Sequence, residues 1–235
     1  MNNKVVLVTG GAGNLGQAVS RAFLEAGARV AIPVYKADHT AALDQLKAEF
    51  GEHIHSFALD LTTERGAEQA IREVTEWGGG LSTVAHLVGG FSGGTRIADT
   101  PIEVWNRMID LNMTSAYFVA RFAIPTLLAD GGGSFVFVSS RAAFENRAER
   151  AAYSASKAGL ISLARAIAEE YGTEGIRSNV VVPDTIDTDS NRLAMPDASP
   201  ANWTKPASIA SVVLFLASDD ARAINGASVP VFSPG

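Results

Sequence analysis

Short runs of β-branched and apolar residues alternate along this chain with longer segments whose apolar positions recur at helical spacing. The runs predict strands at Val5–Thr9, Arg29–Val34, His55–Ala58, Thr83–Val88, Ser134–Ser139, Ser178–Val182 and Ser228–Phe232. Several are apolar without interruption, as strands buried on both faces of a parallel sheet are. The helical patterns are Leu15–Ala26, Thr40–Phe50, Thr63–Trp77, Ile102–Leu111, Thr114–Leu128, Ala152–Tyr171 and Pro206–Ala217. Gly27, Gly51, Gly78–Gly80, Gly131–Gly133 and Gly172 follow helices, where a left-handed residue ends the last turn. Strand–helix alternation from end to end predicts one α/β domain over 1–235, a doubly wound sheet of about seven parallel strands with helices on both faces. Residues 184–205 break the rhythm, with Pro, Asp, Ser and Asn but little periodicity. A loop of that length inside a compact domain is functional or disordered, and it is predicted here to border the substrate.

Composition narrows the function classes. The chain has 235 residues, 47% hydrophobic and 19% charged, enough apolar material for a sizeable core. Its net charge of −6 and lack of a basic block argue against a nucleic-acid surface. There are no cysteines, so disulfides and thiolate metal sites are excluded, and no metal is expected. The apolar run in "MNNKVVLVTGG" is too short for a signal peptide, and no stretch is long and apolar enough to span a bilayer. The expectation is a cytoplasmic protein with a small-molecule partner.

The chemistry begins at "VVLVTGGAGNLGQAV", a strand, a glycine turn and a helix. Gly10, Gly13 and Gly16 surround the turn, where free backbone N–H groups and the positive end of a helix dipole suit a pyrophosphate. Following a strand and opening a helix is the context that a nucleotide-binding turn requires. In "AAYSASKAGL", Tyr153 and Lys157 share one helix face among small residues. A free tyrosine titrates near 10, and a nearby ammonium favours its phenolate, so such a pair suits proton exchange with a carbonyl or alcohol oxygen. The bland alternative is a half-buried Tyr beside a snorkelling Lys. "FVFVSS" puts Ser139 and Ser140 at the carboxyl end of a buried strand, where parallel sheets bind ligands. Asn112 stands inside a helical pattern, a poor place for Asn unless its amide has a task.

With these residues together, the chain resembles the short-chain dehydrogenase/reductase family over essentially its whole length. "TGGAGNLG" is similar to the family's Thr-Gly-x-x-x-Gly-x-Gly turn, and "YSASK" to its Tyr-x-x-x-Lys. Ser140 precedes Tyr153 at the family's spacing, which favours it over Ser139. The resemblance implies a Rossmann-type fold and hydride transfer between a nicotinamide dinucleotide and a carbonyl or alcohol carbon. It implies catalytic roles for Asn112, Ser140, Tyr153 and Lys157: Tyr153 as acid/base, Lys157 as its tuner and ribose ligand, Ser140 on the substrate oxygen, and Asn112 holding a proton-relay water. Cofactor contacts are implied for Gly10, Gly13, Asn14, Leu15, Gly16, Lys36, Asp60, Leu61, Val88, Gly89, Tyr153, Lys157, Pro183 and Thr188. Packing of two long helices, "ARFAIPTLLA" and "SLARAIAEEY", on symmetry mates implies a homo-oligomer, a tetramer with two-fold axes.

The chain departs from the family pattern in three places. Asn14 replaces the middle glycine of the turn, and Asn tolerates left-handed backbone. His86 and Leu87 stand where the family has two asparagines; His86 reads as a structural substitute, with a cofactor-side donor as the alternative. Pro183-Asp184 replaces Pro-Gly. "VGGFSGG" and "TIDTDSNRLAMPDASPANW" look like segments of dihydropteridine reductase and its bacterial relatives, although the animal enzymes lack the serine retained here. Reduction of a quinonoid dihydropteridine is therefore one alternative, and a dinucleotide-sensing protein without turnover is another. Phe91, Phe144, Met195 and Trp203 are candidate substrate walls or ordinary anchors, with Trp203 on a possible lid. Arg141, Arg147 and Arg150 read as a solvated surface in the mixed-sign "RAAFENRAER" rather than as a site for an anionic substrate. At the end of the second strand Val34 stands where an NAD-selecting aspartate would sit, and Asp38 lies past the ribose. Lys36, with help from His39, can pair with a 2′-phosphate, so NADP is expected in preference to NAD, by a modest margin.

Overall fold

The computed structural model describes residues 1–233 of the chain, apart from the side chains of residues 37–39, so the expectations for Asp38 and His39 lie outside the described residues. Seven strands, β1 Val5–Thr9, β2 Arg29–Val34, β3 Ile54–Ala58, β4 Thr83–His86, β5 Gly133–Val138, β6 Ile176–Pro183 and β7 Ser228–Val231, form one sheet. Their order is β3-β2-β1-β4-β5-β6-β7, and every neighbouring pair is parallel. Strand order reverses between β1 and β4, which opens a crevice at the carboxyl edge of the sheet.

The helices are α1 Asn14–Glu25, α2 Asp44–Phe50, α3 Glu64–Gly78, α4 Ile102–Ile109, α5 Ser115–Ala129, α6 Ala151–Tyr171, α7 Asp189–Ala194 and α8 Pro206–Ala217. Alternate strand residues point to opposite faces, and each face has its own core. Val5, Leu7, Phe135, Phe137 and Val182 pack with α3, α5 and α6; Val6, Val8, Ile32, Val136 and Val181 pack with α1 and α8. This two-sided burial is why the strands read as unbroken apolar runs.

Several boundaries moved for identifiable reasons. β4 stops at His86, two residues short of the expected Val88, because the Thr9 hydroxyl accepts the Leu87 and Val88 amides at 3.2 and 3.4 Å. β6 begins at Ile176, where it pairs with Gly133 on β5. The expected helix Thr40–Phe50 starts as a 3₁₀ segment, Ala37–Leu43. Gly172 is not the left-handed terminator of α6: its φ is −60°, and Gly175, at +92°, takes that role after a 3₁₀ turn. The two helices expected around Asn112 are continuous through a π-helical turn, Asp110–Thr114. Such turns recur at functional sites. The 184–205 loop is folded: it contains α7, and its ends are joined by Asp187 N–H to Thr204 O and Thr204 N–H to Thr185 O, 2.9 and 2.8 Å.

Candidate active site

The carboxyl ends of β1, β2, β4, β5 and β6 border one large cleft of about 1380 Å³. Its floor is the β1–α1 turn. Gly10 has φ +69°, and a Cβ there would lie 3.1 Å from the Leu87 and Val88 backbone. A Cβ on Gly16 would run into the Gly10 carbonyl oxygen, so α1 can sit this close to the turn only with glycine. The helix N-terminus has no side-chain cap and no acidic residue in its first turn. Gly13, Asn14, Leu15 and Gly16 line the cleft there; the Gly13 amide closes the turn onto the Gly10 carbonyl at 3.1 Å, and the amides of the helix's first turn, residues 14–16, are suited to a pyrophosphate. Asp60, Leu61, Val88, Gly89, Pro183 and Thr188 also line it. The Asp60 carboxylate accepts from the Thr62 amide and hydroxyl at 2.9 and 2.6 Å, which fixes its direction. Thr188 Oγ1 caps α7 by accepting from the Asn191 amide at 3.2 Å. Lys36 is exposed just outside the cleft lining, with its Nζ 5.5 Å from the centre of the Tyr35 ring. Tyr35 lines the cleft in its place, because β2 turns out toward solvent after the buried Val34.

Ser140, Tyr153 and Lys157 meet at the middle of the cleft. The two adjacent serines divide their tasks: buried Ser139 donates to the Lys157 carbonyl at 2.8 Å, whereas Ser140 lines the cleft with Tyr153, its Oγ accepting from the Ala142 amide at 3.2 Å. Burial pushes the Tyr153 phenol above its ordinary range, opposed by the Ser140 hydrogen bond and the Arg150 charge. Lys157 is buried, donates to the Val138 carbonyl at 3.0 Å, and is pushed down to about 8 by desolvation. Burial is the larger influence on the phenol, and Arg150 is the charge that opposes it.

Asn112 is fully buried behind the wall of the cleft. Its Oδ1 accepts from the Gly90 amide at 2.8 Å, and its Nδ2 donates to Gly90 O and Ser156 Oγ, both at 3.1 Å. These bonds make the side chain a strut for the 89–90 segment. A Cβ on Gly89 would lie 2.7 Å from Asn112 Oδ1 and 3.0 Å from Lys157 Nζ, so glycine there lets both groups reach the wall.

His86 is a structural substitute. It is buried, does not line the cleft, and is pushed down to about 3, first by desolvation and then by the Lys157 charge. The hydrogen bonds fix its proton. Thr9 Oγ1, already accepting two amides, lies 3.1 Å from Nδ1 and donates to it. Nε2 then carries the hydrogen and faces Ser115 Oγ at 3.4 Å, which itself donates to Leu111 O at 2.7 Å. The chain ties β1 and β4 to the π turn.

Of the candidate substrate walls, Phe91 and Met195 line the cleft. Phe144 does not, and it is exposed on the outer side of its loop. Trp203 does not either: it is buried at the base of the 184–205 loop as an anchor, and the part of the loop over the cleft is Thr185–Met195. Arg141, Arg147 and Arg150 all line the cleft, contrary to their reading as a plain solvated surface. Asp184, which replaces a glycine of the family pattern, pairs with Arg141 at 2.8 Å and closes the far wall. Arg150 was legible only as one charge among several. Its position, Cζ 5.3 Å from the centre of the Phe91 ring while Phe91 meets the Tyr153 ring edge-on at 5.1 Å, depends on tertiary structure.

Comparison with known proteins places this geometry. A family model described as enoyl-(acyl carrier protein) reductase matches residues 10–231. A 2,5-dichloro-2,5-cyclohexadiene-1,4-diol dehydrogenase of Sphingobium indicum is 32% identical, covering 97% of this chain and 94% of the relative. A meso-2,3-butanediol dehydrogenase of Serratia marcescens is 29% identical, covering 98% and 93%. The solved structure of a short-chain type dehydrogenase/reductase from Mycobacterium ulcerans superposes with a TM-score of 0.93 at 30% identity, covering 98% of this chain and 89% of that one.

Proposed function

The chain belongs to the short-chain dehydrogenase/reductase family and is a nicotinamide-dependent oxidoreductase; from that premise we propose how its own residues perform the reaction and on what. The substrate is a carbonyl compound or the corresponding alcohol. The single observation that carries this is the half-buried Tyr153 phenol, which shares with Ser140 and Lys157 the cleft that the glycine turn floors. A nicotinamide dinucleotide held in this cleft would supply or accept the hydride. Tyr153 gives its proton to the carbonyl oxygen during reduction and takes it back from the alcohol during oxidation. Its raised pKa keeps it protonated at neutral pH, the form that reduction requires. Ser140 orients the reacting oxygen toward the phenol. Lys157 carries its charge below about pH 8 and reaches the cleft beside Gly89, where it would hold the ribose and favour charge on the developing phenolate. Asn112 holds Gly90, and through it the wall, in register.

The cleft lining names the residues that would hold the dinucleotide: Gly13–Gly16 its pyrophosphate, Asp60 and Leu61 its adenine, and Val88, Gly89, Pro183 and Thr188 its nicotinamide half. NADP is preferred over NAD, modestly. Val34 leaves no carboxylate at the end of β2 to grip ribose hydroxyls or repel a 2′-phosphate, and Lys36 supplies a cation just outside the lining. The test is kcat/KM with each cofactor. The reading expects NADPH to be ahead by roughly two- to fivefold and Lys36→Ala to narrow the gap, in line with one exposed point charge; a large advantage for NADH would refute it. Relatives named for diol oxidation favour carbonyl/alcohol chemistry over pteridine reduction. The retained Ser140, Tyr153 and Lys157 favour turnover over sensing alone. A homotetramer acting in the cytoplasm completes the proposal; no helix among the described residues is long and apolar enough to cross a membrane. Oxidation of NADPH against a panel of ketones, quinones and quinonoid dihydropterin decides between these substrates: ketone reduction supports the reading, and turnover of the pterin alone contradicts it.

A further inference from the structure

Arg150 opens the helix that carries Tyr153, three residues before it, and its side chain is half-buried in the substrate end of the cleft. Its Cζ lies 5.3 Å from the centre of the Phe91 ring, and Phe91 packs edge-on against Tyr153 at 5.1 Å. Arg150 and the reacting oxygen therefore border the same space, one aromatic ring apart. Two further observations show a built position. Glu149, immediately before Arg150, has φ +65°, a left-handed conformation that costs a non-glycine residue about 1–2 kcal/mol. Its carbonyl oxygen accepts from the Gly94 amide at 2.9 Å, which ties the Arg150 backbone to the loop that presents Phe91.

The charge arrangement is uneven. Arg141, on the far wall, is neutralised by Glu145 and Asp184, each at 2.8 Å. Arg150 and Arg147 make no ion pair among the described residues, yet both line the cleft. A guanidinium taken partly out of water without a carboxylate is costly unless an anion arrives to complete it. The facing α4 side of the cleft brings Glu103, Arg107 and Asp110, and Arg107 donates to Ser92 at 3.2 Å. Those two carboxylates disfavour a dianion, whereas the planar fork of one guanidinium matches a single carboxylate.

We propose that Arg150 is a specificity-determining residue that binds a carboxylate of the substrate, so that the enzyme acts on an oxo acid or the corresponding hydroxy acid. The acid group lies on the Phe91 side of the reacting carbonyl. Arg147 at the rim draws the anion in. This inference rests on the oxidoreductase reading above, deepening its substrate class.

The experiment compares C4 to C8 oxo acids, each beside its methyl ester, in wild type and Arg150→Met, which keeps an apolar stem against Phe91. Wild type is expected to favour the acids over the esters in kcat/KM by roughly tenfold to a hundredfold, the range of a hydrogen bond to a charged group. In Arg150→Met that ratio falls to about one, and Arg150→Lys recovers part of it. A merely structural role would lower both rates and leave the ratio intact. A second arm titrates levulinate and methyl levulinate into protein saturated with the oxidised cofactor, where no hydride is available. Tighter levulinate binding, lost in Arg150→Met, supports the carboxylate site even if no ketone is turned over, an outcome that would refute the oxidoreductase reading alone. Equal binding of acid and ester, or an acid-to-ester ratio unmoved by Arg150→Met, overturns the inference and leaves the reductase reading standing.

Discussion

At the scale of single residues, the cleft is decided by which polar groups are already occupied. Ser139 is taken by the Lys157 carbonyl, Asn112 by Gly90 and Ser156, and Thr9 by His86 and two amides. Ser140 accepts the Ala142 amide but keeps its own proton to donate, and Lys157 donates once, to the Val138 carbonyl; with Tyr153 and Arg150 these groups remain for chemistry. The Tyr-x-x-x-Lys pair, the preceding serine and the glycine turn were legible in the sequence because each is a local pattern with a mechanism. The tasks of Asn112 and Arg150 were not, because the groups that define them, Gly90, Ser156 and Phe91, come from distant segments. His86 gives a prediction with a definite sign. Its folded pKa of about 3 lies below the ordinary 6.5, so the unfolded chain takes up the proton first as pH falls. Stability is fully present above about pH 6.5 and is lost toward pH 3, with a slope of up to about 1.4 kcal/mol per pH unit. Denaturant melts across that range are expected to show this slope in wild type and a flatter one in His86→Asn. Identical slopes would mean that other groups control the acid limb.

At the scale of elements, the strands were readable nearly to the residue because both faces of the sheet are buried and leave an unbroken apolar signal. The 184–205 segment hid its structure. α7 has only six residues, too short for periodicity to register, and the loop is closed by backbone hydrogen bonds that no side-chain pattern records. Phe144 misled for the complementary reason: sequence placed it next to the site, while the direction of the chain turned it away from the cleft. Trp203 holds the base of the loop. Trp203→Ala is expected to raise KM more than it lowers kcat and to speed proteolysis between 189 and 202, because a buried anchor is lost beneath a segment with few other core contacts. An unchanged cleavage rate would remove Trp203 from that role. The wall formed by Gly89 makes the opposite test. Gly89→Ala pushes a methyl group onto the Asn112 amide and the Lys157 ammonium, and overpacking of that kind costs about 1–3 kcal/mol. Weaker cofactor binding, measured by fluorescence of the reduced nicotinamide, is the expected result; wild-type affinity would place Lys157 elsewhere when the cofactor is bound.

For the whole molecule, one sheet with two cores accounts for most of the chain, and the unburied apolar surface points to assembly. Tyr117 on α5 is 45% exposed, and Phe118, Phe122, Ile124 and Leu128 of the same helix are only partly covered. A helix apolar on nearly all sides is completed by burial against another surface. Light scattering at micromolar concentration is expected to give a homotetramer with two-fold axes, and a monomer would contradict the proposed assembly.

The measurement that bears most directly on the central claim is turnover by Tyr153→Phe, which removes one hydroxyl and keeps the ring against Phe91. Reduced-cofactor binding and ketone-dependent oxidation are measured on the same preparation beside wild type. The account predicts a cofactor affinity close to wild type and a kcat lower by roughly 10²–10⁴-fold, the range attributable to general acid–base catalysis. A variant that binds the cofactor and still turns over within a few-fold of wild type would show that the proton passes through another group.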